Sequence, residues 1–130
     1  MPGHFIISLD FELMWGMRDS QRSGDYRPNI VGARQAIPGL LQLFERYKIA
    51  ATWATVGLLL AQNKTEMQAA IASASETTEG QDPHHHALVS YMARQVGDDA
   101  RSDPLHFGGD LVQQIINVER QELASHTLSH

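Results

Sequence analysis

Two short runs, His4 to Glu12 and Ile49 to Val56, are apolar through most of their length and bracket a stretch whose apolar residues return at helical spacing. A strand that alternates apolar and polar residues buries one face, whereas a near-continuous run belongs to a strand covered on both, as in parallel sheets. The first run holds Phe5, Ile6, Ile7 and Leu9; the second reads Ile-Ala-Ala-Thr-Trp-Ala-Thr-Val. Between them Ile30, Ala33 and Ile37, then Leu40, Leu41, Phe44 and Tyr47, keep the period of a helix, with Asn29 placed to cap it. Pro38 interrupts the period and predicts either a kink or a second helix beginning there with proline in its first turn. Strand, helix and strand in this order make a right-handed βαβ unit. The expected fold class is α/β with parallel strands.

The remaining chain extends this plan. Leu13 to Tyr26 is expected to be a loop, and Gly57 a turn before a helical stretch opened by Leu58 to Ala61. Lys64 to Ser75, rich in Ala, Gln, Met and Glu, predicts a helix, and Glu76 to Pro83 a loop. A further helix is expected over Ala87 to Gln95 through Leu88, Tyr91 and Met92. After the polar connection Gly97 to Pro104, Asp110 is placed to cap a helix carrying Leu111, Val112, Ile115 and Ile116. Glu122 to Ser125 then reads as a third strand that delivers His126 at its C-terminal end.

Composition narrows the partners. The 130 residues suffice for one modest domain, and 42% hydrophobic with 19% charged residues is ordinary for a globular chain. A net charge of −5 without a Lys/Arg cluster argues against nucleic acid as a partner. Without cysteine, neither a disulfide nor a thiolate metal site is available. No basic segment precedes an apolar stretch at the start, and the apolar window around Ala50 to Ala61 is shorter than the roughly 20 residues that cross a bilayer. The expected location is the cytoplasm, with no membrane span.

The chemistry concentrates at the two ends of the chain. His126 and His130 are four apart, a spacing that puts both imidazoles on one side of a single helical turn, within reach of one ion. Zinc-type centres usually take at least three protein ligands, so an acid from another strand end is needed. Ser8-Leu9-Asp10-Phe11-Glu12 supplies one. If the C-terminal ends of the first and third strands lie side by side, Glu12 completes a shell with His126 and His130. Asp10, two residues earlier and hence on the same side of the strand, is then placed as general base. A cation held there would lower the pKa of its water towards about 7 and polarise a carbonyl. Trp15 and Arg18 are candidates to line a sugar cleft; the alternative is a Trp covering the rim and an Arg paired with an acid. The run His84-His85-His86 is read as a solvated loop. His106 is read as a packed or capping residue.

Ser8 to Glu12 resembles the first motif of the polysaccharide deacetylase (NodB-homology) family, carbohydrate esterases built on a distorted (β/α) barrel. Ser125-His126-Thr127-Leu128-Ser129-His130 is similar to its second motif, His-Ser/Thr-x-x-His, and Ala51 to Gly57 to its second strand. The resemblance implies Asp10 as catalytic base and Glu12, His126 and His130 as ligands of a divalent ion, zinc first, with cobalt, nickel or manganese as alternatives. It implies hydrolytic deacetylation of an acetylated polysaccharide or amino sugar, at an amide or an ester. Most members carry Asp-Asp at the first motif; here Phe11 separates the acids and the second is Glu, as in an Asp-x-Asp/Glu branch.

The family's later motifs, which supply an oxyanion donor and a general acid, have no counterpart in the chain. Residues 1–130 are therefore expected to be the N-terminal three βα units of an incomplete catalytic domain, inactive alone. Losing one oxyanion donor costs about 10²–10³ in rate. Open strand edges and an uncovered apolar sheet face predict self-association. A non-catalytic carbohydrate-binding or assembly domain of the same fold is the alternative function. The plainest reading has the two histidines capping a helix and Asp10 paired with Arg18.

Overall fold

The computed structural model describes residues 3–18, 25–75 and 83–129. The loop expected over residues 76–82, part of the loop expected after Leu13 and the ligand position His130 fall outside these residues. Three strands, β1 (Ser8–Phe11), β2 (Ala51–Val56) and β3 (Gln121–Thr127), form one sheet in the order β1-β2-β3. Both pairings are parallel, with Leu9 beside Trp53 and Trp53 beside Leu123. Four α-helices connect them: α1 (Arg27–Tyr47), α2 (Lys64–Ser75), α3 (Pro83–Gln95) and α4 (Gly109–Ile116). The α/β class with parallel strands is thus observed.

Because both crossovers step the sheet in the same direction, right-handed connections put α1 and α4 on the same face. That face is the core. Phe11, Ala51, Trp53 and Thr55 are buried on it, against Ile30, Ile37, Leu41 and Phe44 of α1 and Leu111, Val112 and Ile115 of α4. Trp53 is its hub, with Phe11 edge-on at 6.4 Å and Phe44 at 6.4 Å on the helix side. Its indole N–H donates to Gln121 Oε1 at 3.0 Å, so the one polar atom of the side chain is satisfied at the β3 edge. The opposite face carries Ser8 and Asp10 of β1, Thr52 and Ala54 of β2, and Glu122 and Ala124 of β3, by the alternation of side chains along each strand. This open face is polar and small, not the apolar surface expected from the sequence, and Thr52 Oγ1 donates to Glu122 Oε2 across it.

Several boundaries depart from the sequence reading. The first run pairs only from Ser8 onward, and Phe5 and Ile6 are 90% and 80% exposed, because no strand or helix among the described residues covers them. Leu13–Met17 forms a 3₁₀ turn where a loop was expected. Helix α1 begins at Arg27 with Tyr26 as cap residue, two residues before Asn29. It also runs through Pro38 without a break, held on both sides of the proline by the buried Ile30, Ile37, Leu41 and Phe44. Lys48, at φ 54°, ends it in the left-handed conformation.

His84, His85 and His86 lie in the first turn of α3, not in a loop, since Pro83 opens the helix at the position proline favours. Asp110 sits in the first turn of α4, one residue past its start, and Gly108 takes the cap position. The Asp110 carboxylate is engaged instead by Arg34 of α1 at 2.5 Å, while the same guanidinium donates to Phe107 O at 2.9 Å. Finally, β3 is longer than expected and remains extended through Thr127, so His126 is on a strand and not on a helical turn.

Core and fringe should respond differently to substitution. Trp53→Ala is expected to lose about 3–5 kcal/mol of stability. Phe5→Ser, at a residue packed against almost nothing, should stay within about 0.5 kcal/mol of wild type. Urea unfolding followed by circular dichroism measures both, and an equal loss at the two positions would contradict the burial described.

Candidate metal centre

The first strand ends in an abrupt turn. Glu12 leaves the extended region at φ −127° and ψ −26°, and Leu13 follows at φ 48°, in the left-handed region. A leucine there costs about 1–2 kcal/mol. Burial of the Leu13 side chain in the core offsets that cost. The turn also folds the Glu12 side chain back over the 3₁₀ turn: a Cβ added at Gly16 would collide with Glu12 Oε2. Glu12 can lie where it does because residue 16 has no side chain. Gly16 is therefore a positioning residue for the site, and nothing in the local sequence pattern marks it as one.

The third strand brings His126 from the other side. Thr55 pairs with Ser125 and Val56 with Thr127, so His126 is the extra residue of a β-bulge. A bulge re-aims one side chain and often stands beside a functional site. Here it turns His126 towards β1, and His126 Nε2 lies 2.7 Å from Glu12 Oε1. One ligand atom each from Asp10, Glu12 and His126 all fall within 4.8 Å of one another.

Contrary to the side-by-side arrangement expected, β1 and β3 are not neighbours; β2 lies between them. Strands two apart in a sheet are about 9.5 Å apart. The gap is bridged by two long side chains, just beyond the row that pairs Asp10 with Ala54 and Ala54 with Ala124.

The other candidates are placed as follows. Trp15 is fully buried at 0% exposure, its indole N–H donating to His106 O at 2.9 Å, so it is a core residue and no platform for a sugar. Arg18 is half-buried and donates from Nη1 to Ser129 Oγ at 3.4 Å, tying the β1–α1 connection to the segment after β3. That segment is also held to the turn that follows β2, since Leu58 N–H donates to Leu128 O at 2.9 Å. His130 lies outside the described residues. As donors, a carboxylate pair and an imidazole suit zinc and the neighbouring divalent ions. The Glu12 Oε1 and His126 Nε2 atoms that face each other are the same two atoms that would be offered to an ion.

A second acid–histidine pair stands apart from this one. His106 is buried, as expected of a packed residue: Nδ1 lies 2.7 Å from Asp103 Oδ2 and Nε2 lies 2.7 Å from the Tyr91 hydroxyl. Burial pushes the Asp103 carboxyl up, but hydrogen bonds from His106 and from the Gly97 and Leu105 N–H groups more than offset this and hold it below its ordinary 3.8.

No helix among the described residues is long and apolar enough to cross a membrane. The chain matches no protein-family model, and neither the curated proteins nor the solved structures contain a significant match to it.

The depressed Asp103 value has a signed consequence. A carboxyl whose folded pKa lies below its unfolded value adds stability above the unfolded value and loses it as pH falls through the folded one. Asp103→Asn is therefore expected to be less stable than wild type at pH 7, with the gap narrowing once pH drops below 3.8. Thermal unfolding of both proteins from pH 7 to pH 3 measures it; a gap that widens on acidification would contradict the assignment.

Proposed function

We propose that Asp10, Glu12 and His126 form the core of a metal-dependent hydrolytic site that removes acetyl groups from an acetylated polysaccharide or amino sugar. The observation that supports this is convergence: an acid pair and a histidine more than a hundred residues apart meet at the C-terminal ends of two parallel strands. That end of a parallel sheet is where α/β enzymes carry their chemistry. In this reading the three strands are βα units of a distorted (β/α) barrel of the polysaccharide deacetylase type. The polar face of Ser8, Asp10, Thr52, Ala54, Glu122 and Ala124 is then the barrel's interior.

Glu12 and His126 hold the ion, zinc or a similar divalent cation, with His130 proposed as a further ligand. When bound, such an ion acts as a Lewis acid that polarises a carbonyl and makes water a better nucleophile at neutral pH. Asp10, the most exposed of the three carboxylate and imidazole groups, takes the proton from the attacking water as general base. The water oxygen bonds to the acetyl carbon, the C–N or C–O bond to the sugar breaks, and acetate leaves. The proton held on Asp10 is then available to the departing amine or hydroxyl.

The short Glu12–His126 contact also favours a second reading. A carboxylate–imidazole hydrogen bond is complete without any cation, and would then serve as a clasp between strand ends in a non-catalytic domain that binds carbohydrate or assembles with a partner.

Zinc titration by calorimetry separates the two. The hydrolase reading expects one zinc per chain, with affinity reduced at least about tenfold in His126→Ala and Glu12→Ala. Gly16→Ala, which displaces the Glu12 carboxylate, should weaken zinc binding while leaving the unfolding midpoint close to wild type. Asp10→Asn should still bind zinc but release acetate from acetylated amino-sugar oligomers about 10²–10⁴-fold more slowly than any rate the wild-type chain gives. A wild-type chain that takes up no zinc at micromolar concentration leaves the clasp.

A further inference from the structure

Independently of the metal centre, a cleft of about 690 Å³ opens between the β1–α1 connection and the long segment joining β2 to α4. Both segments leave from the C-terminal ends of strands. Met14, Met17, Val31 and Leu105 give it apolar walls, and Tyr91 and His106 line it beside them. Behind the Tyr91 hydroxyl stands the pair already described: His106 at 4% exposure and Asp103 at 8%.

The order of these groups matters. Asp103 Oδ2 faces His106 Nδ1, and His106 Nε2 faces the phenol, each at 2.7 Å. Because an ionised carboxylate only accepts, Nδ1 is the donor of that contact, and in the tautomer with its single proton there Nε2 accepts from the phenol. Asp103 is itself fixed by the Gly97 N–H at 2.8 Å and the Leu105 N–H at 3.1 Å. Trp15 packs edge-on against the imidazole at 5.2 Å and holds the ring plane. A hydroxyl against a base, with the base oriented by a third group, is the arrangement by which weak nucleophiles are activated, tyrosine among them.

We infer that Tyr91, His106 and Asp103 form a nucleophile–base–orienter relay that makes Tyr91 a covalent acceptor for small neutral acyl donors entering this cleft. In the step, the phenolic oxygen bonds to the acyl carbon and the bond from that carbon to its leaving group breaks. The phenol proton passes to His106 Nε2 and from there to the leaving group.

N-acetylimidazole tests this on the whole chain, with peptide mass spectrometry reading the acetylation rate at each tyrosine. Tyr47, 61% exposed, is the internal reference, and access alone favours it over the half-buried Tyr91. The relay expects Tyr91 to be acetylated at least about tenfold faster than Tyr47. His106→Gln, which keeps a hydrogen-bonding side chain without the base, should bring Tyr91 to or below the Tyr47 rate. Asp103→Asn should lower it part of the way, and Tyr91→Phe should abolish the fast label. Tyr47 should react alike in all of them, and circular dichroism checks that each variant is folded. If Tyr91 reacts no faster than Tyr47 in wild type, the three residues are only a structural pin. If it reacts fast but equally so in folded His106→Gln, the imidazole takes no part; either result overturns the relay. Should the variants unfold, the wild-type ratio decides alone.

Discussion

β2 keeps β1 and β3 apart, and every feature of the acid–histidine cluster follows from bridging it. Two adjacent strands can share a site through short side chains; strands on either side of a third cannot. Glutamate and histidine are long enough to meet over β2, while Ala54, in the row of Asp10, keeps that row of the face low. One strand position earlier, on the opposite face, β2 carries Trp53, the largest residue of the core. The alternation of a strand thus lets β2 serve two incompatible demands at once, bulk towards the helices and clearance towards the site.

The ends of the flanking strands are irregular for the same reason. A regular β1 would carry Glu12 along the strand axis, and a regular β3 would hold His126 in the ladder. Instead the chain after Glu12 turns sharply through a left-handed Leu13, and β3 inserts His126 as an extra residue. Both departures aim side chains inward over β2. Local strain of this kind persists when surrounding packing fixes it, as the buried Leu13 does here.

What the sequence disclosed depended on whether a signal was local. The second helix was legible to the residue, Lys64 to Ser75, and the βαβ order was legible from the change of hydrophobic period. Asp10, Glu12 and His126 could be named together from their order on successive strand ends, and their side chains do come together. Phe5 and Ile6 misled, since apolarity says nothing about whether another element arrives to cover them. Pro38 misled in the other direction: a loss of about 3 kcal/mol is affordable in a helix of 21 residues anchored on both sides of the proline. The position of β2 between β1 and β3, the bulge at His126 and the role of Gly16 are long-range facts. No window of sequence contains both partners of such a contact.

Two acid–histidine pairs among the described residues have the same length, 2.7 Å each, and differ in their surroundings. In the Glu12–His126 pair the side chains are 19% and 30% exposed, with Asp10 alongside. In the Asp103–His106 pair the corresponding values are 10% and 4%. There the carboxylate already accepts from two backbone N–H groups, and both imidazole nitrogens are engaged. A cation entering that pair would leave buried donors unsatisfied, at about 1–3 kcal/mol for each. The buried pair is thus the poorer host for a cation, and its remaining contact runs outward to the Tyr91 hydroxyl. Burial, more than the identity of the two side chains, sets the two pairs apart.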